Sequence, residues 1–251
     1  MIRPVLIAAV LALVTLPGEA QLQPEFDVAS VKPVDISKLG GLISMNIGSE
    51  RGEEITFDNA TLNDCVRFAY GVASNAQIDG PDWIRSKQFL YDIDAKAPPG
   101  TSHEQFQAMM QTLLAARFKL VIHREQRLLS YYSLVTAKGG PKMPPTKDIP
   151  VDFQGITHGG RIDSILPMPM LAYLLSRFET ERPIIDHTGL KGMYRVKLQW
   201  SLQQVQNGVD EEPGPSLFTA LEEQLGLKLD SQKGPIDVLV VESAEKVPTQ
   251  N

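Results

Sequence analysis

RFKLVIHREQRLLSYYSLVTAKGG, residues 117–140, sets the architecture of this chain. Phe118, Leu120 and Ile122 alternate with Lys119, Val121 and His123, the period-two pattern of a half-buried strand. A second apolar run, Tyr131 to Ala137, follows the charged residues, so the stretch reads as a β-hairpin with a charged turn. It also raises a chemical question. His123 and Glu125 stand two apart and share one strand face, as two metal ligands would. Lys119, Arg124 and Arg127 are close in sequence, and positive charge near a cation costs affinity. The stretch therefore reads as a solvated hairpin face with cross-strand charge pairs.

Upstream, EFDVASVKP alternates and stops at Pro33, which suits a first strand, and LISMNIGSERGEEITFDN carries two short alternating runs around a glycine turn, a hairpin signal. The period then changes. In TLNDCVRFAYGV, Leu62, Cys65, Val66 and Ala69 fall on one helix face, with Asn59 or Thr61 as N-cap and Gly71 as terminator. QFLYDIDAKAPPG returns to period two and ends at proline. TSHEQFQAMMQTLLAARF is the clearest helix, with Ser102 and Gln105 spaced as a capping box and an apolar stripe through Phe106, Met109, Met110, Leu113 and Leu114.

Downstream, the Pro- and Gly-rich KGGPKMPPTKDIP reads as a surface linker, and then the order of elements recurs. DFQGITHGGRIDSIL predicts a hairpin around His158, PMLAYLLSRF a helix with Leu171, Leu174, Leu175 and Phe178 on one face, and IIDHTGLKGMYRVKLQW a turn and strand. GPSLFTALEEQLGLKL predicts a helix capped at Ser216 and closed by Gly226, and IDVLVVES a last strand. Leu62 aligns with Leu171, Phe106 with Leu217 and Phe118 with Leu227 at a nearly constant offset, the mark of an internal duplication. The expected fold is α+β: two pseudo-repeated units of hairpin, helix, strand, helix and strands, with helices packed on mainly antiparallel sheets. Its divisions are residues 1–20, a first half over 21–140, a Pro/Gly-rich linker over 141–151 and a second half over 152–251. The acidic QVQNGVDEEPGP stretch reads as a mobile loop.

MIRPVLIAAVLALVTLPGEA has a basic start, an apolar run and a small-x-small site before Gln21, the order of a secretory signal peptide. The run is too short for a membrane anchor, and nothing downstream predicts a span. The chain of 251 residues has 43% hydrophobic residues, enough for one substantial core or two small ones, and its single cysteine, Cys65, cannot form an intramolecular disulfide. A net charge of -6 without a basic cluster speaks against nucleic acid, whose phosphates demand grouped Lys and Arg. Periplasmic or secreted location is expected.

The candidates for chemistry thin out on inspection. Asp92 and Asp94 share a strand face, and paired carboxylates serve acid and base roles only when their surroundings push their proton affinities apart; Lys96 continues the row as an exposed face. His103-Glu104 starts like HExxH but lacks the second histidine, so both residues read as first-turn positions, where Glu104 suits the helix dipole. His158 and His187 read as turn residues. No GxSxG, GxGxxG or GxxxxGK[ST] occurs, and Cys65 sits on an apolar helix face as a small hydrophobe. No catalytic, metal or cofactor-binding set is therefore read. DGPDWIRS leaves Trp83, with Asp82 beside it, as the contact candidate for a ligand or partner.

Taken together, FDVASVKP, GPDWI, LLAARFKLVIHRE, VTAKGGPK, RPIIDHTGLKGMY and GPSLFTALEEQLGLKLDSQKGPIDVLVVESAEK resemble the Solibacter-type secreted family, a domain of unknown function expanded in soil acidobacteria. The resemblance covers about residues 24–248, with Cys65 standing where an aliphatic residue is expected. It brings no catalytic residues. Related domains are joined to sensor-like membrane peptidases, which implies binding or sensing, and the helix-then-strands units look like the short interaction domains of secretins and TonB-dependent receptors. The expected function is a non-catalytic module binding an envelope or extracellular protein, peptide or polymer. The alternative is an extracytoplasmic hydrolase drawing on Asp92, Asp94 and His123.

Overall fold

Alternating burial and well-placed caps produce most of the elements where the sequence puts them. The computed structural model describes residues 24–39, 45–147, 156–157, 160–178, 180–201 and 214–250. The first part holds β1 (Val28–Pro33), β2 (Asn46–Arg51), β3 (Glu54–Ala60), α1 (Leu62–Ala69), β4 (Ile78–Asp79), β5 (Tyr91–Lys96), α2 (His103–Phe118) and β6 (Val121–Thr136). Then come β7 (Pro145–Thr146), β8 (Ile156–Thr157), β9 (Arg161–Leu166), α3 (Met168–Phe178), β10 (Ile184–Asp186) and β11 (Met193–Gln199). The chain closes with α4 (Leu217–Ala220), a π-helical turn over Leu221–Leu225, and β12 (Leu227–Ser243). The fold is α+β. The segment read as a signal peptide, most of the hairpin expected around His158 and most of the stretch read as an acidic loop lie outside the described residues.

Helix α1 begins at a capping box in which the Thr61 hydroxyl accepts from the Asp64 N–H and the Asp64 carboxylate accepts from the Thr61 N–H. The box foreseen for α2 is also present, between Ser102 and Gln105. At its far end α2 stops at Lys119 in the left-handed region. Its last carbonyls, which have no partner within the helix, accept from the C-terminal tail: Glu245 N–H donates to Phe118 O at 2.6 Å and Thr249 N–H to Arg117 O at 2.8 Å.

The described strands form three sheets. One has the order β1-β5-β3-β2, all antiparallel, and another the order β7-β11-β9-β8, also antiparallel. Residues 142–146, read as part of a surface linker, are anchored here: Pro145–Thr146 pairs with Met193–Tyr194, Lys142 N–H donates to Leu225 O, and Met143 is buried in the neighbouring core.

The third sheet departs most from the sequence reading. Residues 121–136 are one strand, with no turn inside it, and β12 is likewise one strand running through Gly234-Pro235. The two pair antiparallel from Val121 opposite Ser243 to Thr136 opposite Leu227, a ribbon about 50 Å long at about 3.3 Å per residue. VIHREQRLLSYYSLVT contains no Gly, Pro, Asn or Asp, so it lacks the turn chemistry that a hairpin needs. Pro235 is tolerated because only β6 pairs with β12 at its level among the described residues, and a proline without an N–H suits an edge. Short β4 adds in parallel to β12 at Leu239–Val240, and β10 adds in parallel to β6 at Tyr132–Leu134.

Two apolar cores hang on the two ends of this ribbon. The first packs α1 and α2 on the first sheet and includes Leu239 and Val241 of β12; the second packs α3 and α4 on the β11 sheet and includes Leu134 of β6 and Leu227 of β12. Between them the ribbon is wet, and Leu128 at its middle is 70% exposed.

One glycine is locked by this packing. Gly226, at φ +66°, ends the π-helical turn, and a Cβ there would overlap the Gly140 carbonyl oxygen. Gly226→Ala is expected to cost about 3 kcal/mol or more, because a left-handed backbone penalty and a backbone clash add. Gly52→Ala, at φ +63° with nothing within 4 Å, is expected to cost only about 1–2 kcal/mol. Urea midpoints of the two variants check this; equal losses would mean that the Gly140 loop gives way freely.

Candidate functional site

The two halves meet through polar side chains. Arg67 stands in the last turn of α1, where periodicity assigns it to the outer face, yet only 7% of its side chain is exposed. A guanidinium so placed must find acceptors. Its Nη2 donates to the Ala73 carbonyl and, at 3.1 Å, to the Arg177 carbonyl at the C-terminal end of α3. That end carries unpaired carbonyls and the negative pole of the helix dipole, so a cation is stabilised there. Arg177 answers in the other direction, its Nη2 donating to the Ile47 carbonyl of β2 at 3.0 Å. Ser74, which caps the short helix Asn75–Gln77, donates its hydroxyl to the Glu181 carbonyl at 2.9 Å.

Around these bonds lies a cleft of about 380 Å³ lined by Arg67, Asn75, Ser176, Arg177, Thr180 and Glu181, within the size range of small-ligand sites. Burial, and then the positive charge of Arg177, push the Arg67 proton affinity down to about 10. It remains a cation at neutral pH. The lining thus offers hydrogen-bond donors and fixed positive charge, which can bind and orient a ligand.

The residues singled out in the sequence lie elsewhere. Trp83 and Asp82 are in a 3₁₀ turn over Asp82–Arg85. Asp82 is exposed, whereas Trp83 is half-buried against the first core, edge-on to Phe89 at 5.9 Å between ring centroids. Lys246 of the C-terminal tail covers both rings, its Nζ 5.9 Å from the Trp83 centroid and 4.7 Å from that of Phe89, so the chain itself supplies a cationic contact to this aromatic pair.

His123 and Glu125 belong to a charged row on the ribbon. His123 Nδ1 lies 2.6 Å from Glu242 Oε1 and its Nε2 3.7 Å from Glu125 Oε2, while Arg127 bridges Glu125 and Asp79. The hydrogen bond from Arg127 holds the Asp79 carboxyl below its ordinary range. Among the described residues no three of His, Cys, Asp and Glu converge to hold a metal ion. Asp92 accepts the N–H of Asn59 at 2.9 Å, steadying a residue at φ +52° beside a bulge in β3. Asp92 and Asp94 are on β5 and His123 on β6, in different sheets. His187 Nδ1 is 2.7 Å from Ser133 Oγ, but Ser133 is only 5% exposed, so this contact fastens the loop after β10. Cys65 is fully buried, and burial pushes its thiol well above its ordinary value, keeping it protonated.

Arg67 and Arg177 carry no signal within their own segments, because what buries Arg67 is a carbonyl 110 positions away. The fold and cleft define a class: a two-lobed α+β protein joined by a long ribbon, with a polar seam between the lobes. Over residues 63–244 the chain matches the family described as protein of unknown function (DUF3738), and it belongs to that family. No curated protein and no solved structure matches it.

One titration is visible at the edge of the first lobe. His103 Nδ1 lies 2.6 Å from Glu50 Oε1 and its ring is edge-on to Phe68. The bond to Glu50 raises the His103 pKa above 6.5. A raised folded value adds stability below the unfolded value, and this is lost as pH rises through the folded one. The Tm advantage of the wild type over Glu50→Gln is therefore expected to be present near about pH 5.5 and to shrink by about pH 8.5. A difference independent of pH would remove the ion pair as its source.

Proposed function

We propose that this protein is an exported, non-catalytic binding module of the periplasm or cell exterior, which holds a protein, peptide or envelope polymer by a group entering the cleft between its halves. The observation that carries this reading is the cleft itself: concave, donor-rich, and built from both lobes. Export is supported by the order of charge, apolar run and small residues over positions 1–20, and by the resemblance to acidobacterial secreted proteins. No described helix is long and apolar enough to cross a membrane. No cofactor enters the proposal, and the net charge of -6 favours partners other than nucleic acid.

The same reading treats residues 21–140 and 152–251 as duplicated halves, with 141–151 between them contributing β7 to the sheet of the second half. Its support is the parallel between the strand orders β1-β5-β3-β2 and β7-β11-β9-β8, in which each strand has a counterpart at the same place. Further support is that β4 and β10 both add in parallel to a long strand, at opposite ends of the ribbon.

Thermal unfolding of the full chain with peptidoglycan fragments, polysaccharide fragments and peptides tests the binding function. A ligand that prefers the native state raises its stability by RT ln(1 + [L]/Kd), so a saturable rise in Tm with one class is expected. Turnover of a fragment, lost on His123→Ala or Asp92→Asn, would instead establish the hydrolase.

A further inference from the structure

We infer that the cleft between the halves is an oxyanion site, which takes the carboxylate or phosphate of a ligand beside the Arg67 and Arg177 guanidinium groups. This rests on the binding-module reading and adds the chemistry of the ligand. Arg67 is more than nine-tenths buried, and among the described residues its Nε has no hydrogen-bond partner. Its ion pair with Asp64 is long, 3.9 Å from Nη1 to Oδ1, and the other oxygen of Asp64 already accepts from both the N–H and the hydroxyl of Thr61. A second cation, Arg177, lines the same space. Both guanidinium groups border the cleft, and the charge of Arg177 adds to the burial that lowers the proton affinity of Arg67, so an anion beside them is met by charge-assisted hydrogen bonds.

The remaining lining fits the same ligand chemistry. Asn75 uses its Oδ1 to accept from Asn63 Nδ2 at 2.8 Å, which leaves the NH₂ end of its amide to donate elsewhere. Among the described residues Glu181 is the one acidic residue in the lining, and its charge, together with the carbonyl end of α3, opposes a bare anion. The space admits a chain end or a small acidic side group, and not a folded surface. Because Arg67 and Asn75 come from one half and Arg177, Thr180 and Glu181 from the other, a bound anion ties the halves together and registers as added stability.

The test is calorimetry and thermal unfolding of the full chain with sodium succinate or inorganic phosphate, against sodium chloride at equal ionic strength. A saturable rise is expected with one of the two anions at up to about 10 mM. A stronger response to succinate assigns a carboxylate ligand, and to phosphate a phosphoryl ligand. Arg177→Gln is expected to weaken binding about tenfold or more. That variant also loses the bond to the Ile47 carbonyl, so Glu181→Gln is the second arm: Glu181 serves the fold through its backbone carbonyl, and removing its charge is expected to tighten binding about threefold. No rise beyond chloride, or a rise unchanged in both variants, overturns the oxyanion site. If peptidoglycan, polysaccharide or peptide fragments still bind in that case, the binding function stands without it; if they do not, both readings fall.

Discussion

Pairing of β6 with β12 is the constraint on which the rest depends. An isolated two-stranded ribbon is marginal in water, and the middle of this one has little apolar cover. It persists because both ends are clamped. At one end Leu239 and Val241 enter the first core, and at the other Leu134 and Leu227 enter the second. Each of these fully buried aliphatic side chains contributes about 1.5–3 kcal/mol by leaving water. The cores in turn need the ribbon, since each would lose part of its floor without it.

The seam between the lobes follows a different rule. An apolar seam would merge the two cores into one, whereas this one is fastened by hydrogen bonds from Arg67, Ser74 and Arg177 to main-chain carbonyls. Such bonds fix direction as well as distance, so they hold the lobes in one orientation while leaving an open cleft beside them. The cost is a guanidinium with little access to water, visible in the lowered proton affinity of Arg67.

How far these features were legible in the sequence depends on the range of the forces behind them. The capping boxes at Thr61–Asp64 and Ser102–Gln105 act over three residues, and the second was readable directly. The alternation of β5 and the hairpin of β2 and β3 act over a few more. The full length of β6 is hidden because the charged residues before Tyr131 look like a turn, although the stretch contains no Gly, Pro, Asn or Asp. Gly234-Pro235 is the converse case: a turn-forming pair stands inside continuous β12, tolerated because among the described residues only β6 pairs with it at that level. The cleft was not legible at all. Its walls come from residues more than 100 positions apart, and the burial of Arg67 is a property of the assembled halves.

The shared ribbon also governs the order in which the molecule can be completed. Leu239 and Val241, near the end of the chain, belong to the first core. A polypeptide emerging N-terminus first from a ribosome therefore cannot close its first lobe until β12 has appeared. Domains that fold during synthesis close from the front as they appear, but here the leading lobe stays open until the trailing strand arrives. The two lobes are therefore completed together, by the arrival of the last strand they share.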